Sequence, residues 1–288
     1  MSLSMMHQEM VSYVGSMPSE RIVIVADRNQ QTRMSAILGP GRVVLPQQAA
    51  TLLRSRTDVA VRLDIKQPNV LRDVLLDMAE LQVKYLAIPS VLATEIYTTL
   101  LPKAVKVLEF TGPEVARVDA SARVEGLTRL VGDRVKCEPQ SFRTLLHTDI
   151  EADSAGVRFI VNSRQLRTVN AKKAGNSDFI KSLEGSELVQ LGIRGASRVN
   201  LFDVSRMRKL VGLWVQDVRG ELDLAPLAAS EICELTIGYC SQVRNIDVLR
   251  DWTSLRRLHV FGCGDIGVEK AIRAVEGRFE VVVIDGSG

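Results

Sequence analysis

One spacing recurs along this chain: an aliphatic residue, two variable residues, an aliphatic, one variable residue and a third aliphatic. It is plain in Leu188-Leu191-Ile193, Leu210-Leu213-Val215, Ile232-Leu235-Ile237 and Leu255-Leu258-Val260, whose starts lie 22, 22 and 23 residues apart. The same ruler extends back to Leu166-Val169-Ala171 and forward to Phe279-Val282-Ile284. It returns nearer the N-terminus as Ala60-Leu63-Ile65, Val83-Leu86-Ile88, Val105-Leu108-Phe110 and a weaker Leu127-Leu130. Between Leu127 and Leu166 it slips, and a short or irregular unit is fitted near Leu145 to Ile150.

A period of this length means stacked units. Alternate apolar residues of a short strand point one way, and the residues between them point the other way in every unit. A strand that buries one face cannot do so alone, so the units stack, pair as a parallel sheet and share a core. The rest of each unit runs back across the other side. Val70 to Leu81 spaces Val70, Val74, Leu75, Met78 and Leu81 along one helical face, and Val268 to Val275 reads similarly.

The pattern resembles that of the leucine-rich repeats, which continues to an Asn or Cys at the ninth position. Cys240 and Cys263 stand there in two successive units, while Ala174, Ala196, Val218, Pro113, Val91 and Pro68 stand there in others. The resemblance covers roughly residues 58 to 285 and is degenerate. It implies an α/β leucine-rich-repeat solenoid with a curved parallel sheet on its concave face and mixed helices and loops on its convex face. Without the Asn ladder, the backbone groups of each turn need other partners. The chain is expected to divide into a loosely ordered or expression-derived leader at 1–20, an N-terminal cap at 21–57 holding strand-like Ile22 to Ala26 and Val43 to Leu45, and a solenoid at 58–288 that is irregular at about 132–164.

Hydrophobic residues at 46% and charged residues at 25% fit a folded chain. The net charge of +3 comes from interleaved Lys, Arg, Asp and Glu, so no one-sign stripe calls for a nucleic acid. No run of eighteen apolar residues calls for a membrane. Cys137, Cys233, Cys240 and Cys263 form no C-x-x-C pair, which fits a reducing, cytoplasmic setting, taken here as bacterial.

The sharpest chemical motif is Gly262-Cys263-Gly264-Asp265-Ile266-Gly267, a G-x-G-x-x-G after a strand-like run, with Asp285 about twenty residues beyond Gly264. It suggests a nucleotide-binding enzyme or regulatory subunit in which the glycines meet a phosphate and Asp285 a ribose. The same residues also fall in register with the period, as a turn between the last two units. His259 and Cys263 invite a thiol–imidazole reading, but a strand followed by a turn does not put both on one face. His7, His147 and His259 lie far apart, and no His or Cys pair has zinc-ligand spacing. No catalytic, metal or cofactor site is assigned.

The third, fifth and seventh positions of each unit are expected on the concave face. They read Arg62, Asp64, Lys66 and Tyr85, Ala87, Pro89 near the N-terminus. Toward the C-terminus they gather Arg194, Trp214, Gln216, Glu234, Arg257, His259 and Phe261, with Tyr239 at the edge. In a chain with 5% aromatics this is a concentration of the residue types that anchor interfaces. The expected function is non-catalytic binding of another protein, as an immunity or antitoxin-like inhibitor or as a scaffold, with Arg194 and Arg257 favouring an acidic or polar partner rim. The alternative to exposed anchors is that a loop covers these side chains. A secreted effector is a further reading, and residues 1–20 supply no clear export signal for it.

Overall fold

A computed structural model describes residues 20–26, 28, 31, 35, 43–54, 59–95, 101–118, 122, 124–174, 177–263, 275 and 280–284. Thirteen strands form one sheet in which every pairing is parallel. From the N-terminal side they begin with β1 (Glu20–Val25), β2 (Val43–Val44), β3 (Val59–Asp64), β4 (Tyr85–Pro89) and β5 (Val107–Thr111). After the two-residue β6 (Ala116–Arg117) come β7 (Arg129–Val131), β8 (Val135–Lys136), β9 (His147–Glu151), β10 (Thr168–Lys172) and β11 (Gln190–Arg194). The chain continues through β12 (Gly212–Gln216), β13 (Leu222–Asp223), β14 (Glu234–Gly238), β15 (Val243–Arg244), β16 (Arg257–Phe261) and β17 (Glu280–Ile284). β6 pairs with β8 and β13 with β15 in two small parallel ladders outside the main sheet.

From β3 to β17 the strands of the main sheet follow chain order, as they must in a solenoid. The N-terminal edge breaks that order. β2 lies outside β1, and β3 pairs on the other side of β1. The chain therefore steps outward once and then reverses. Gln31 on the connecting segment donates to the Val43 carbonyl at 3.1 Å.

The core is the ladder of inward residues. Leu191 and Ile193 pair with Leu213 and Val215, then with Leu235 and Ile237, then with Leu258 and Val260. All are at most 4% exposed. The returning limbs close the other side with helices where the unit is long enough. α1 (Pro46–Arg54) and α2 (Pro68–Asp77) each begin at a proline, whose missing N–H costs nothing in the first turn. α2 buries Val74 and Leu75 from the stripe that the sequence predicts, and Leu71 outside it, while Val70 is only partly buried. α3 (Ser154–Asn162) is capped by Asp153, which accepts from the amides of Ala155 and Gly156, and buries Phe159 and Ile160. α4 (Ser177–Ser182) and α5 (Leu201–Ser205) are shorter, and the last units return through 3-10 turns at Ala225–Leu227 and Ile246–Arg250.

Three registers differ from the ruler. Ala60 pairs with Tyr85, so the inward residues of β3 level with Leu86 and Ile88 are Val61 and Leu63, two residues from the expected phase. The longer α2 takes up the difference. At the far end Leu258 and Val260 pair with Val281 and Val283, a one-residue slip from the expected Val282 and Ile284 that exchanges the two faces. Where the ruler lost its period, the unit is Leu145-Thr148-Ile150. Arg129 pairs with His147, only 18 residues on, and Thr148 occupies the place of an aliphatic while staying 2% exposed. A short unit with a buried hydroxyl at its centre gives no aliphatic signal.

The ninth-position residues Ala174, Ala196, Val218, Cys240 and Cys263 are buried, and the backbone supplies what an Asn ladder would. The eighth residue of each unit is left-handed: Lys173, Gly195, Asp217, Tyr239 and Gly262 have φ between 51° and 67°. This turn points each N–H at the next unit. Lys173 N donates to the Arg194 carbonyl at 2.6 Å, and Gly195, Asp217 and Tyr239 donate to Gln216, Gly238 and Phe261 at 3.0 Å. Cys240 and Cys263 add thiol contacts to the Gly238 and Phe261 carbonyls, each at 3.3 Å.

Candidate functional site

The outward face of β11, β12, β14 and β16 brings the sequence-selected residues together. Because the strands are in step, Trp214, Thr236 and His259 form one row across the sheet. Gln216, Gly238 and Phe261 form the next, and Gly212, Glu234 and Arg257 the third. Arg194 lies one strand away, level with Gln216, and Tyr239 follows Gly238 at the turn. Trp214 is 39% exposed and Tyr239 59%, while His259 and Phe261 are half-buried. A depression of about 330 Å³ opens between Trp214, Gln216, Glu234, Thr236, Arg257 and His259.

Glycines shape this floor. A Cβ on Gly238 would come within 2.5 Å of the Phe261 ring, and one on Gly262 within 2.5 Å of the Tyr239 ring. The two rings therefore lie low over neighbouring backbone, meeting edge to face at 5.3 Å between centroids. Gly192, beside Trp214 on β11, presents no side chain to it. These glycines carry no signal of their own in the sequence, because the period fixes where a residue points and says nothing of what its neighbour must vacate.

The charges are already matched. Arg257 Nη1 meets Glu234 Oε1 at 2.8 Å, with the two side chains 26% and 14% exposed, and Arg194 Nε meets Asp217 Oδ2 at 3.1 Å. The sequence expects Arg194 and Arg257 to favour an acidic or polar partner rim; in the structure each guanidinium holds an acid of its own chain.

Farther along the face the environment changes. On β9 and β10, Lys172 bridges Asp133 at 3.0 Å and Asp149 at 3.1 Å, and Asn170 donates to Asp149 at 3.2 Å. Burial disfavours the Lys172 ammonium, but Asp149 and Asp133 outweigh it and its pKa is raised. His147 is pulled down to about 4, first by burial and then by the Arg129 charge. Nearer the N-terminus, Tyr85 and Ala87 are buried against Ala60, which corrects their expected exposure. The Tyr85 hydroxyl donates a short bond to Glu109, and burial followed by that carboxylate pushes its pKa up.

The thiol–imidazole reading meets an obstacle. Burial pushes the Cys263 thiol up, away from the thiolate that chemistry needs, and the sulfur turns to backbone carbonyls. Gly262 sits in the left-handed turn position that Gly195 fills three units earlier in the described ladder and Gly112 fills after β5. Gly264, Asp265, Ile266, Gly267 and Asp285, the remainder of the phosphate-loop reading, lie outside the described residues, as does most of the helix-like Val268 to Val275. Among the described residues, no three His, Cys, Asp or Glu side chains are grouped as a metal ion requires, and no helix is long and apolar enough to cross a membrane.

No protein-family model matches the sequence, and no curated protein matches it either. Among solved structures, an internalin (inlF) from Listeria monocytogenes is similar at 13% identity over 81% of this chain and 71% of that one, with a TM-score of 0.42. An internalin C2 from the same organism is similar at 11% identity over 83% and 91%, with a TM-score of 0.34. The register and the turn ladder of the chain itself define an α/β leucine-rich-repeat solenoid.

Proposed function

We propose that this protein is a non-catalytic recognition solenoid that occupies a partner protein with the C-terminal part of its concave face. The observation that carries this reading is the exposure of Trp214 on β12 and of Tyr239 at the turn after the neighbouring β14, in a sheet whose backbone groups are paired from unit to unit. Large aromatic surface left in water on a rigid support is what interface anchors look like before binding. Gln216, Thr236 and His259 supply hydrogen-bonding groups around it. Such a protein works by steric occupation, as an inhibitor of the immunity or antitoxin kind or as a scaffold, in the cytoplasm of a bacterium.

Photo-crosslinking in the source cell tests this. A crosslinking amino acid at Gln216 is expected to give a covalent adduct of defined mass, absent when the same group replaces exposed Phe202 on α5, and lost with Trp214→Ala plus Phe261→Ala. An adduct from position 202 alone would move the interface to the other face.

A further inference from the structure

The ring platforms on this face have a spacing, and the spacing selects a kind of segment. Trp214 and His259 occupy one row with Thr236 between them, so they are two strands apart. Adjacent strands lie about 4.8 Å apart, which puts the pair about 9.6 Å apart across the sheet. A polyproline II helix rises about 3.1 Å per residue with three residues per turn, and so repeats a side-chain direction about every 9.3 Å. Laid across the strands, it sets one residue on Trp214 and the third residue beyond it over His259. An extended β segment repeats about every 6.8 Å and falls out of step.

Charge points the same way. The arginines beside the rings are held by Glu234 and Asp217, so the face asks no net charge of its occupant. The rings of Phe261 and Tyr239 lie low over Gly238 and Gly262, giving a platform that a flat saturated ring can cover. A polyproline II segment makes no internal hydrogen bonds, so its carbonyls need donors, and Gln216, Thr236 and His259 line the same depression. Its backbone is already extended before binding, which keeps the ordering cost low.

We propose that the depression across β12, β14 and β16 binds an uncharged, proline-rich segment of a partner protein, with Trp214 and His259 as its two platforms and the Phe261–Tyr239 pair beside them. This rests on the recognition reading above and names the segment that the site takes.

The chain contains two tryptophans, of which Trp252 is fully buried and Trp214 is 39% exposed, so ligand-induced changes in indole emission report Trp214. Titration of the full chain with an acetylated, amidated decaproline is expected to shift emission to shorter wavelength, saturably and with little dependence on salt. A glycine–serine peptide of equal length should leave it unchanged. His259→Ala should weaken the decaproline response about tenfold or more, with the near-ultraviolet circular dichroism of the tryptophans retained to show the fold intact. No shift at millimolar decaproline, an equal shift with the glycine–serine peptide, or a response to cellohexaose in place of decaproline would overturn the proposal. If decaproline fails while the Gln216 crosslink still forms, only the proline-rich assignment falls. If both fail, the recognition reading falls with it.

Discussion

The two ends of the concave face are built on the same strand positions and differ in what covers them. Near the N-terminus, outward Val23, Val25 and Val43 are at most 2% exposed, and Ala60, Tyr85 and Ala87 at most 5%. Near the C-terminus, outward Trp214 stays 39% exposed and its neighbours half so. The difference begins with topology: β2 lies outside β1 and β3 pairs on its other side, so the outward valines of β1 stand between two strands and pack with Val43. A repeat thus determines where a side chain points, while its cross-strand neighbours determine whether water reaches it.

The largest effect that tests this contrast is on stability. Tyr85→Ala removes a buried ring and leaves Glu109 without its hydroxyl partner, and should cost about 3 kcal/mol in urea unfolding. Trp214→Ala, on the same face, should cost under about 1 kcal/mol while abolishing partner binding. Equal losses at the two positions would mean that Trp214 is core.

Next is the ion pair in the open region. Arg257→Met leaves Glu234, 14% exposed, with its closest cation removed, and should lower stability by about 1–2 kcal/mol, between the values typical of surface and buried pairs. Adding Glu234→Gln to the same variant should recover part of the loss. If the single variant costs nothing in denaturant melts, the pair is as solvated as an ordinary surface bridge.

The middle of the face offers a pH test. The His147 imidazole sits at about 4 in the folded chain, below its ordinary value near 6.5, so the unfolded chain takes up the proton first. Its contribution to stability is complete above about pH 6.5 and is lost as pH falls toward 4. His147→Gln should flatten the stability profile in that window relative to the parent chain. Parallel profiles would place the imidazole in water, like the side chains of the C-terminal region.

Much of this was legible in the sequence, for reasons that also set the limit. The aliphatic ladder of β10 to β16 is strictly periodic, and its register follows directly from Leu191, Leu213, Leu235 and Leu258. Wherever a unit changes length, the phase becomes ambiguous. β3 differs by two residues because α2 lengthens its return, β17 by one, and the short unit near Leu145 to Ile150 could be placed only loosely because a hydroxyl, Thr148, stands among its aliphatics. The rows of the candidate site were readable because they belong to the regular stretch. Their internal salt bridges and glycine-made floor were not, since both depend on cross-strand neighbours 22 or 23 residues away.

The smallest expected effect concerns the turn ladder and separates stability from recognition at one residue. Tyr239 holds a left-handed backbone at φ 51°, which glycine adopts freely and a bulky L-residue adopts at a cost of about 1 kcal/mol. Gly195 and Gly262 fill the equivalent turns without that cost. The ring returns some of the strain through its edge-to-face contact with Phe261, and glycine gives back some through added freedom in the unfolded chain. Tyr239→Gly should therefore leave the thermal midpoint unchanged or slightly raised, while weakening capture of the partner at Gln216. A clear drop in the midpoint would show that the tyrosine is retained for packing, and the C-terminal face would then resemble the N-terminal one more closely than its exposure suggests.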